Sequence, residues 1–227
     1  MAIICRKHNL LFIMVPRTAC TAIGELLLKH YDGEFVPSED ILDSAGMIVV
    51  PKKHSTLEEL IENTLLAREE ANRLFKVATV RNPFDSLVSL YFKQRFKYEP
   101  LLEDRSSWAN QSPRYVKYMS YARRHSFNRW VFRVCYKKAV KGLLGFQSSM
   151  FPEHIRGMDV VLRYESLEAD LKSAFTRAGI PWKADIPVVN RTAERDARDY
   201  RRCYSPLARF VVGRAYADDL KAYGYRF

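Results

Sequence analysis

The stretch Leu10 to Val15, LLFIMV, is apolar throughout. It is followed at once by Pro16, Arg17, Thr18, Ala19, Cys20 and Thr21, and then by the helical pattern AIGELLLKHY. A run this short cannot span a membrane, and it lacks polar alternation, so it reads as a strand buried on both faces at the centre of a parallel sheet. Pro16 ends it. At the start of the following helix the first backbone amides have no partner of their own, and the helix dipole adds a positive end. Arg17 contributes a permanent charge and a planar fork of donors, and Thr18 and Thr21 offer hydroxyls, so the turn from Arg17 to Ala22 is a candidate anion site. An ordinary cap by Thr18 beside a solvated Arg17 explains the same residues. The turn is not a nucleotide-triphosphatase loop, because the two glycines and the Lys of GxxxxGK[ST] are absent.

With 227 residues and 48% apolar content the chain can bury one sizeable core, which predicts a single α/β domain over 1–227. Met1 to His8 has no apolar signal-peptide core, since Arg6, Lys7 and His8 interrupt it, and no run approaches a membrane span. The expectation is a cytoplasmic protein. Cys5, Cys20, Cys135 and Cys203 are scattered without CxxC spacing, which argues against a zinc site or a disulfide framework, and no metal-ligand cluster is visible. Cys20 reads either as a packed small residue or as a thiol activated by the helix N-terminus. The formal charge of +11 predicts an anionic ligand or partner. It is concentrated between Ser106 and Met150, where Arg and Lys recur with no Asp or Glu. Such a field suits a nucleic acid, a polyanionic sugar, a membrane surface or a charged cofactor, or is merely a solvated face.

Further along, Asp32 to Ala45 reads as a polar loop and Met47 to Val50 as a second strand. His54 follows that strand, where ligands of open α/β sheets bind, and a helix over 57–74 is capped by Ser55 or Thr56. Phe75 to Val80 is a third buried strand running into Arg81, Asn82 and Pro83, which open a helix. Arg81 at the strand end can meet a ligand at the helix mouth, with Ser89 about two turns along. A salt-bridged Arg81 with Asp85 and a buried Ser89 is the plain alternative. Ser112 to Lys138 looks helical, with aromatic rings interleaved among cations, a pattern of single-stranded nucleic-acid binders and equally of a helix with one face in the core. Met158 to Leu162 is a fourth strand, followed by a helix that Gly179 ends.

Two of these turns carry a resemblance. PRTACT resembles the PKTxxT loop of the sulfotransferases, which use the donor 3′-phosphoadenosine 5′-phosphosulfate (PAPS), and VRNPFDSLVSLYF resembles their 3′-phosphate-binding segment. Arg17 stands where Lys is usual, and Cys20 where Gly or Ser is common. The resemblance implies that Arg17, Thr18, Ala19, Cys20, Thr21 and Ala22 bind the phosphosulfate and that Arg81 and Ser89 grip the 3′-phosphate. Arg191, in the loop PWKADIPVVNRTA, is a second 3′-phosphate contact by position. RYESL resembles the RYEDL segment, read as structural through an Arg163–Glu165 pair. Gln147 resembles a Gln before the next strand of carbohydrate-type members. Tyr204, Asp219 and Tyr225 sit at the spacings of a closing helix whose work is packing. Strands alternating with helices predict a doubly wound parallel sheet of four to five strands with helices on both faces, which the resemblance makes P-loop-like.

The chemistry so implied is transfer of a sulfuryl group from PAPS to a hydroxyl or amine of an acceptor, a carbohydrate or other small metabolite, without a metal. His54 is the expected base, because sulfotransferases of the cytosolic type carry a catalytic His after the strand that follows the first helix. Glu34 and Glu39 are rivals by analogy with members that use Glu, and Lys52 or Lys53 can also touch the donor. Arg17 stabilises charge but is a poor acid. Other classes remain: a P-loop-like kinase, for which the Walker Lys and an Mg²⁺-binding acid are missing; a nucleic-acid-binding module; and a non-catalytic nucleotide-binding relative.

Overall fold

The computed structural model describes residues 2–104, 107, 109–110, 113–146, 149–189 and 199–227. Its backbone divides into two compact units, one formed by Met1–Arg81 with Phe151–Asn190 and the other by Asn82–Met150 with Arg191–Phe227. The first unit begins with strands β1 (Ala2–Cys5) and β2 (Leu10–Ile13), joined through a 3₁₀ turn at Arg6–His8. Helix α1 (Cys20–His30), strands β3 (Glu34–Val36), β4 (Ile41–Leu42) and β5 (Ile48–Val50), helices α2 (Leu57–Glu62) and α3 (Arg68–Arg73) and strand β6 (Phe75–Val80) follow. The second unit takes α4 (Pro83–Phe92), a π-helical turn at Lys93–Lys97, α5 (Glu99–Glu103), α6 (Pro113–Arg124) and α7 (Phe127–Leu143). The chain returns to the first unit for α8 (Pro152–Ile155), β7 (Val160–Arg163) and α9 (Leu167–Arg177), and ends in the second with α10 (Pro206–Ala215) and α11 (Ala217–Ala222).

The first unit is a mixed α/β structure around a five-stranded sheet in the order β3-β1-β2-β6-β7. The pairs β2·β6 and β6·β7 are parallel, whereas β1 runs antiparallel to both β2 and β3, so β1 alone is reversed. The period-two alternation of side chains explains why β2 is apolar at every position. Leu10, Phe12 and Met14 face a core built with Ile23, Leu26 and Leu27 of α1 and Leu171 and Phe175 of α9. Leu11, Ile13 and Val15 face a second core with Leu60 of α2 and Ala71 of α3. Helices therefore cover both faces, as the alternating pattern predicts.

Three expectations are corrected. The predicted second strand is not part of the central sheet: β5 pairs antiparallel with β4 in a separate two-stranded sheet, and Met47 and Val49 are exposed, because so short a run with one buried residue, Val50, cannot be a core strand. The central sheet is completed instead by β1, four apolar residues beside a basic turn, and by β3, which lies within the Asp32 to Ala45 stretch expected to be a polar loop. The helix over 57–74 is two helices. Thr56 and Glu59 form a reciprocal capping box at the start of α2, but Thr64 at φ +58 turns the chain so that the amides of Leu65 and Leu66 both return to the Leu60 carbonyl. The long helix expected over 112–138 likewise breaks between α6 and α7.

The second unit packs Trp130, Val131 and Cys135 of α7 with Val211 and Val212 of α10 and Phe84 and Leu87 of α4. Two of its buried polar groups are satisfied within the unit. Trp130 Nε1 donates to Gln94 Oε1 at 3.0 Å, and the Asp219 carboxylate accepts from Ser149 Oγ and the Met150 amide, both at 2.6 Å. Asn82 caps α4 by accepting from the Phe84 amide, with Pro83 in the first turn, and the Tyr204 hydroxyl donates to the Phe84 carbonyl at 2.9 Å. Tyr204 and Asp219 thus serve packing, as expected.

Two glycines give opposite predictions. A Cβ at Gly33 would lie 2.9 Å from both the Leu27 carbonyl oxygen and Ile3 Cγ2, and neither can retreat. Gly33→Ala should destabilise by about 1–3 kcal/mol. Gly213 lies inside α10, and its Cβ would meet only the Phe84 ring, at 3.9 Å, so Gly213→Ala should stabilise by up to about 1 kcal/mol. Thermal unfolding of the two variants checks both signs.

Candidate functional site

Between the end of β2 and the start of α1 the chain leaves the sheet ladder without yet having a helix, so its carbonyls and amides need other partners. The carbonyls find them. Met14 O accepts from His54 Nδ1 at 2.7 Å, Val15 O from Thr18 Oγ1 at 2.9 Å, and Arg17 O from Arg81 Nη1 at 3.1 Å. Ala19 O accepts from the amides of Ala22 at 2.9 Å and Ile23 at 3.3 Å, closing the first turn of α1. The amides of Thr18, Ala19 and Thr21 have no acceptor among the described residues. Arg17 and Ala19 sit at φ +68 and +59, and such alternation of positive and negative φ is the backbone pattern of an anion-binding concavity. Three backbone donors are thereby left over in the turn, and four of its carbonyls are occupied.

Within this turn two expectations are corrected. The Thr18 hydroxyl is not offered outward: the residue is 1% exposed, and its oxygen both donates to Val15 O and is hydrogen-bonded to Thr79 Oγ1 on β6. Nor does Thr18 cap the helix, whose cap is Ala19 without a side-chain bond. The Ala22 amide is committed to the first helical turn, so the acceptor-free amides end at Thr21. Cys20 is buried in the core beside Ile23 and forms no disulfide, the packed-residue reading.

Arg81 is 8% exposed, and its guanidinium lies 3.9 Å from the centroid of the Tyr164 ring. The ring fixes the plane of the fork while Nη1 holds the Arg17 carbonyl, so Arg81 braces the turn. Tyr164 belongs to RYESL, whose pattern carries no sign of a pairing with Arg81. In the same segment Arg163 bonds Asp170, at 2.9 Å through its amide and 3.4 Å through Nε, rather than lying inside the fold, where an Arg163–Glu165 pair was expected.

His54 reaches the turn by a route the sequence did not show. It follows β5, outside the central sheet, yet its ring bonds the first residue past β2. A carbonyl only accepts, so Nδ1 carries the proton and Nε2 is the basic nitrogen. His54 itself has φ +69, and its own carbonyl accepts from His154 Nε2 of α8 at 2.9 Å. Burial pulls the His54 pKa down to about 4, against the opposing effect of the Met14 bond. Burial lowers that of His154 as well, and its Nδ1 is buried without a partner among the described residues, which suits a neutral ring.

The rival carboxylates separate by register. Glu34 pairs with Ile4, which pairs with Leu11, toward the start of β2 and away from the turn, and it is bound to Arg6 at 3.0 Å. Glu39 is exposed beyond β3. The Lys52 amide bonds the Asp40 carboxylate, and Lys53 is exposed. The first unit thus brings together Arg17, Thr18, Ala19, Cys20, Thr21, His54 and Arg81. Ser89 belongs to the second unit, where it is buried in α4. Arg191 and Gln147 lie outside the described residues. Among those described, no group of His, Cys, Asp and Glu could hold a metal ion, and no helix is long and apolar enough to cross a membrane.

A sequence model of the sulfotransferase family matches residues 1–226. The chain belongs to the sulfotransferase family. The match spans both compact units of this sulfotransferase. No curated protein and no solved structure matches the chain. Family membership makes the protein a transferase of sulfuryl groups in general.

Two outcomes follow from this geometry. Thr79→Val keeps shape but removes the partner of Thr18 Oγ1, and should cost about 1 kcal/mol, read from chemical unfolding. His54 has a folded pKa of about 4 against an ordinary 6.5, so the unfolded chain takes up its proton first. That contribution to stability is complete at neutral pH and is lost as pH falls from about 6.5 to about 4, by on the order of 3 kcal/mol. His54→Asn retains a donor for Met14 O and tolerates the left-handed backbone. It should match the wild type at pH 7 and outlast it near pH 5 in thermal melts.

Proposed function

We propose that the protein transfers the sulfuryl group of PAPS to a hydroxyl or amine of an acceptor, a carbohydrate or other small metabolite, with His54 as general base. The observation that carries this reading is the bond from His54 Nδ1 to Met14 O. It fixes an imidazole at the root of an anion-binding turn and leaves Nε2 as the nitrogen able to take a proton. The residues present fit an anionic donor: the amides of Thr18, Ala19 and Thr21 have no acceptor among the described residues, Arg17 lies in the turn, and the buried Arg81 braces it. Bound there, PAPS supplies the sulfuryl group, and Arg81 is the proposed contact for the 3′-phosphate. A P-loop-like fold acting as one domain is part of the same proposal, supported by a family match that crosses both units. The free cysteines suit a cytoplasmic setting.

In the reaction the acceptor oxygen forms a bond to sulfur while the bond from sulfur to the oxygen of the 5′-phosphate breaks. The acceptor proton passes to His54 Nε2, and the electron pair leaves on the bisphosphate. The turn amides and Arg17 meet that charge without being reorganised. An imidazole with a pKa near 4 is a weak base, but anions bound beside it favour the imidazolium and raise its basicity when the site is filled. His54 is therefore neutral before binding and more basic after it.

The decisive experiment is calorimetric titration with the 3′,5′-bisphosphate of adenosine, beside ATP with Mg²⁺ and beside Arg81→Ala. Tight, metal-independent binding that collapses in a folded Arg81→Ala variant is expected. Preference for ATP with Mg²⁺ would instead favour a kinase, and no nucleotide binding at all would remove the reading. For catalysis, His54→Ala should lower kcat by roughly 10²- to 10⁴-fold while leaving bisphosphate affinity intact. The acid limb of kcat/KM, which reports the free enzyme, should have its midpoint well below 6.5, toward about 4. A limb near 6.5 that disappears in no His54 variant would assign the base elsewhere.

A further inference from the structure

Helix α7 carries two ridges at four-residue spacing side by side on its exposed face. One is apolar, with Phe132, Tyr136, Val140 and, just past the helix, Leu144; the other is cationic, with Arg129, Arg133, Lys137 and Lys141. At 100° per residue the apolar ridge winds through about 120°, Leu143 falls beside it, and the cationic ridge keeps to one flank. Phe132, Tyr136, Val140, Leu143, Leu144 and Phe146 are between 38% and 69% exposed, although the opposite face of the same helix buries Phe127, Trp130, Val131, Cys135 and Ala139 completely or nearly so. Among the described residues none of the four cations pairs with a carboxylate; Arg133 rests over the Tyr121 ring, with its guanidinium carbon 4.7 Å from the centroid. The sequence holds no Asp or Glu anywhere from 105 to 152. Solvation explains an exposed charged face, but not a continuous row of large apolar side chains on it.

We propose that α7 is a docking helix that lies on an anionic lipid surface, with Phe132, Tyr136, Val140, Leu143, Leu144 and Phe146 entering the headgroup boundary and Arg129, Arg133, Lys137 and Lys141 meeting lipid phosphates. The charge pattern selects this occupant. A second copy seated on the same face brings the cations of both helices together with no carboxylate to separate them. A nucleic acid satisfies the cations but leaves Val140, Leu143 and Leu144 hydrated, since aliphatic side chains do not stack on bases. An anionic bilayer answers both ridges at once, its surface potential drawing in the basic flank and its acyl boundary taking the apolar one. The inference is independent of the sulfuryl-transfer chemistry, because α7 contributes no residue to the turn or to His54.

The test is flotation of the whole protein with phosphatidylcholine vesicles and with vesicles of equal phosphatidylcholine and phosphatidylglycerol, at low and high salt. Binding to the mixed vesicles and not to the neutral ones is expected, weakened but not abolished by salt because apolar burial is not screened. Phe132→Ser with Leu144→Ser, and separately Lys137→Glu with Lys141→Glu, should each weaken binding roughly tenfold or more. The substituted side chains are exposed, so both variants should melt like the wild type, and bisphosphate titration confirms an intact fold independently of lipid. Absence of binding to mixed vesicles overturns the proposal. So does binding that salt abolishes and the serine variant leaves unchanged, which is bare polycation attraction, or concentration-dependent self-association lost in the serine variant without vesicle binding. Preference for single-stranded DNA over mixed vesicles, lost in the glutamate variant alone, overturns it in favour of a nucleic acid.

Discussion

The site depends on what happens to backbone acceptors where β2 gives way to α1. A segment passing from ladder to helix leaves both carbonyls and amides unpaired, and by itself it favours neither anion nor cation. Here the carbonyls of Met14, Val15 and Arg17 are taken by His54, Thr18 and Arg81, and that of Ala19 by the helix. The amides of Thr18, Ala19 and Thr21 remain, beside the carbonyls of Pro16 and Thr18, which accept from no described residue. The polarity of the turn is thus created by side chains drawn from three places in the sequence, and each of them also fixes its own position in doing so: Arg81 against Tyr164, Thr18 against Thr79, His54 beneath Met14.

The same bonds hold a costly backbone. Arg17, Ala19 and His54 all adopt positive φ, which for an ordinary L-residue costs about 1–2 kcal/mol apiece. Hydrogen bonds to the carbonyls of Met14, Arg17 and His54, each contributing about 1 kcal/mol net, are of the size needed to offset that strain. His154 has this part: its Nε2 donates to the His54 carbonyl, and it keeps in place the residue whose ring secures the turn. Both bonds are donated by a ring N–H, which neutral and protonated imidazole alike possess. Protonating either ring puts charge into a buried site, which is why burial lowers the pKa of both.

Much of this was legible in the sequence, because its strongest signals are local. LLFIMV is apolar at every position since both faces of β2 are covered, and the two strand-to-helix turns are short enough for their residues to be read as sites. What was hidden is long-range. Nothing in the spacing of RYESL shows that Tyr164 stacks on Arg81, and nothing near PEHI shows that His154 meets a carbonyl one hundred residues away. His54 was singled out because it follows a strand, but that strand lies outside the central sheet, and the ring is positioned by a hydrogen bond no pattern encodes. The Thr18 hydroxyl misled for a related reason: at a helix start it looks like a cap, whereas its neighbour in space is Thr79, on a strand that a full α/β crossover separates from it.

The position of Arg17 narrows the proposed chemistry. A lysine in that place can hand a proton to the departing phosphate oxygen, but a guanidinium does not, so the leaving group departs as an anion and its charge must be met by fixed donors. Amides fixed in a turn whose Met14, Val15, Arg17 and Ala19 carbonyls are already occupied do this without moving. Proton transfer is then confined to the acceptor side, where His54 Nε2 is the only basic nitrogen that the Met14 bond leaves on that ring. The two halves of the transfer are thereby divided between a turn that never titrates and a histidine whose basicity depends on whether the turn is filled. In the proposed reaction, binding of the anionic donor makes the base competent, so an acceptor that arrives first meets an imidazole too weak to activate it.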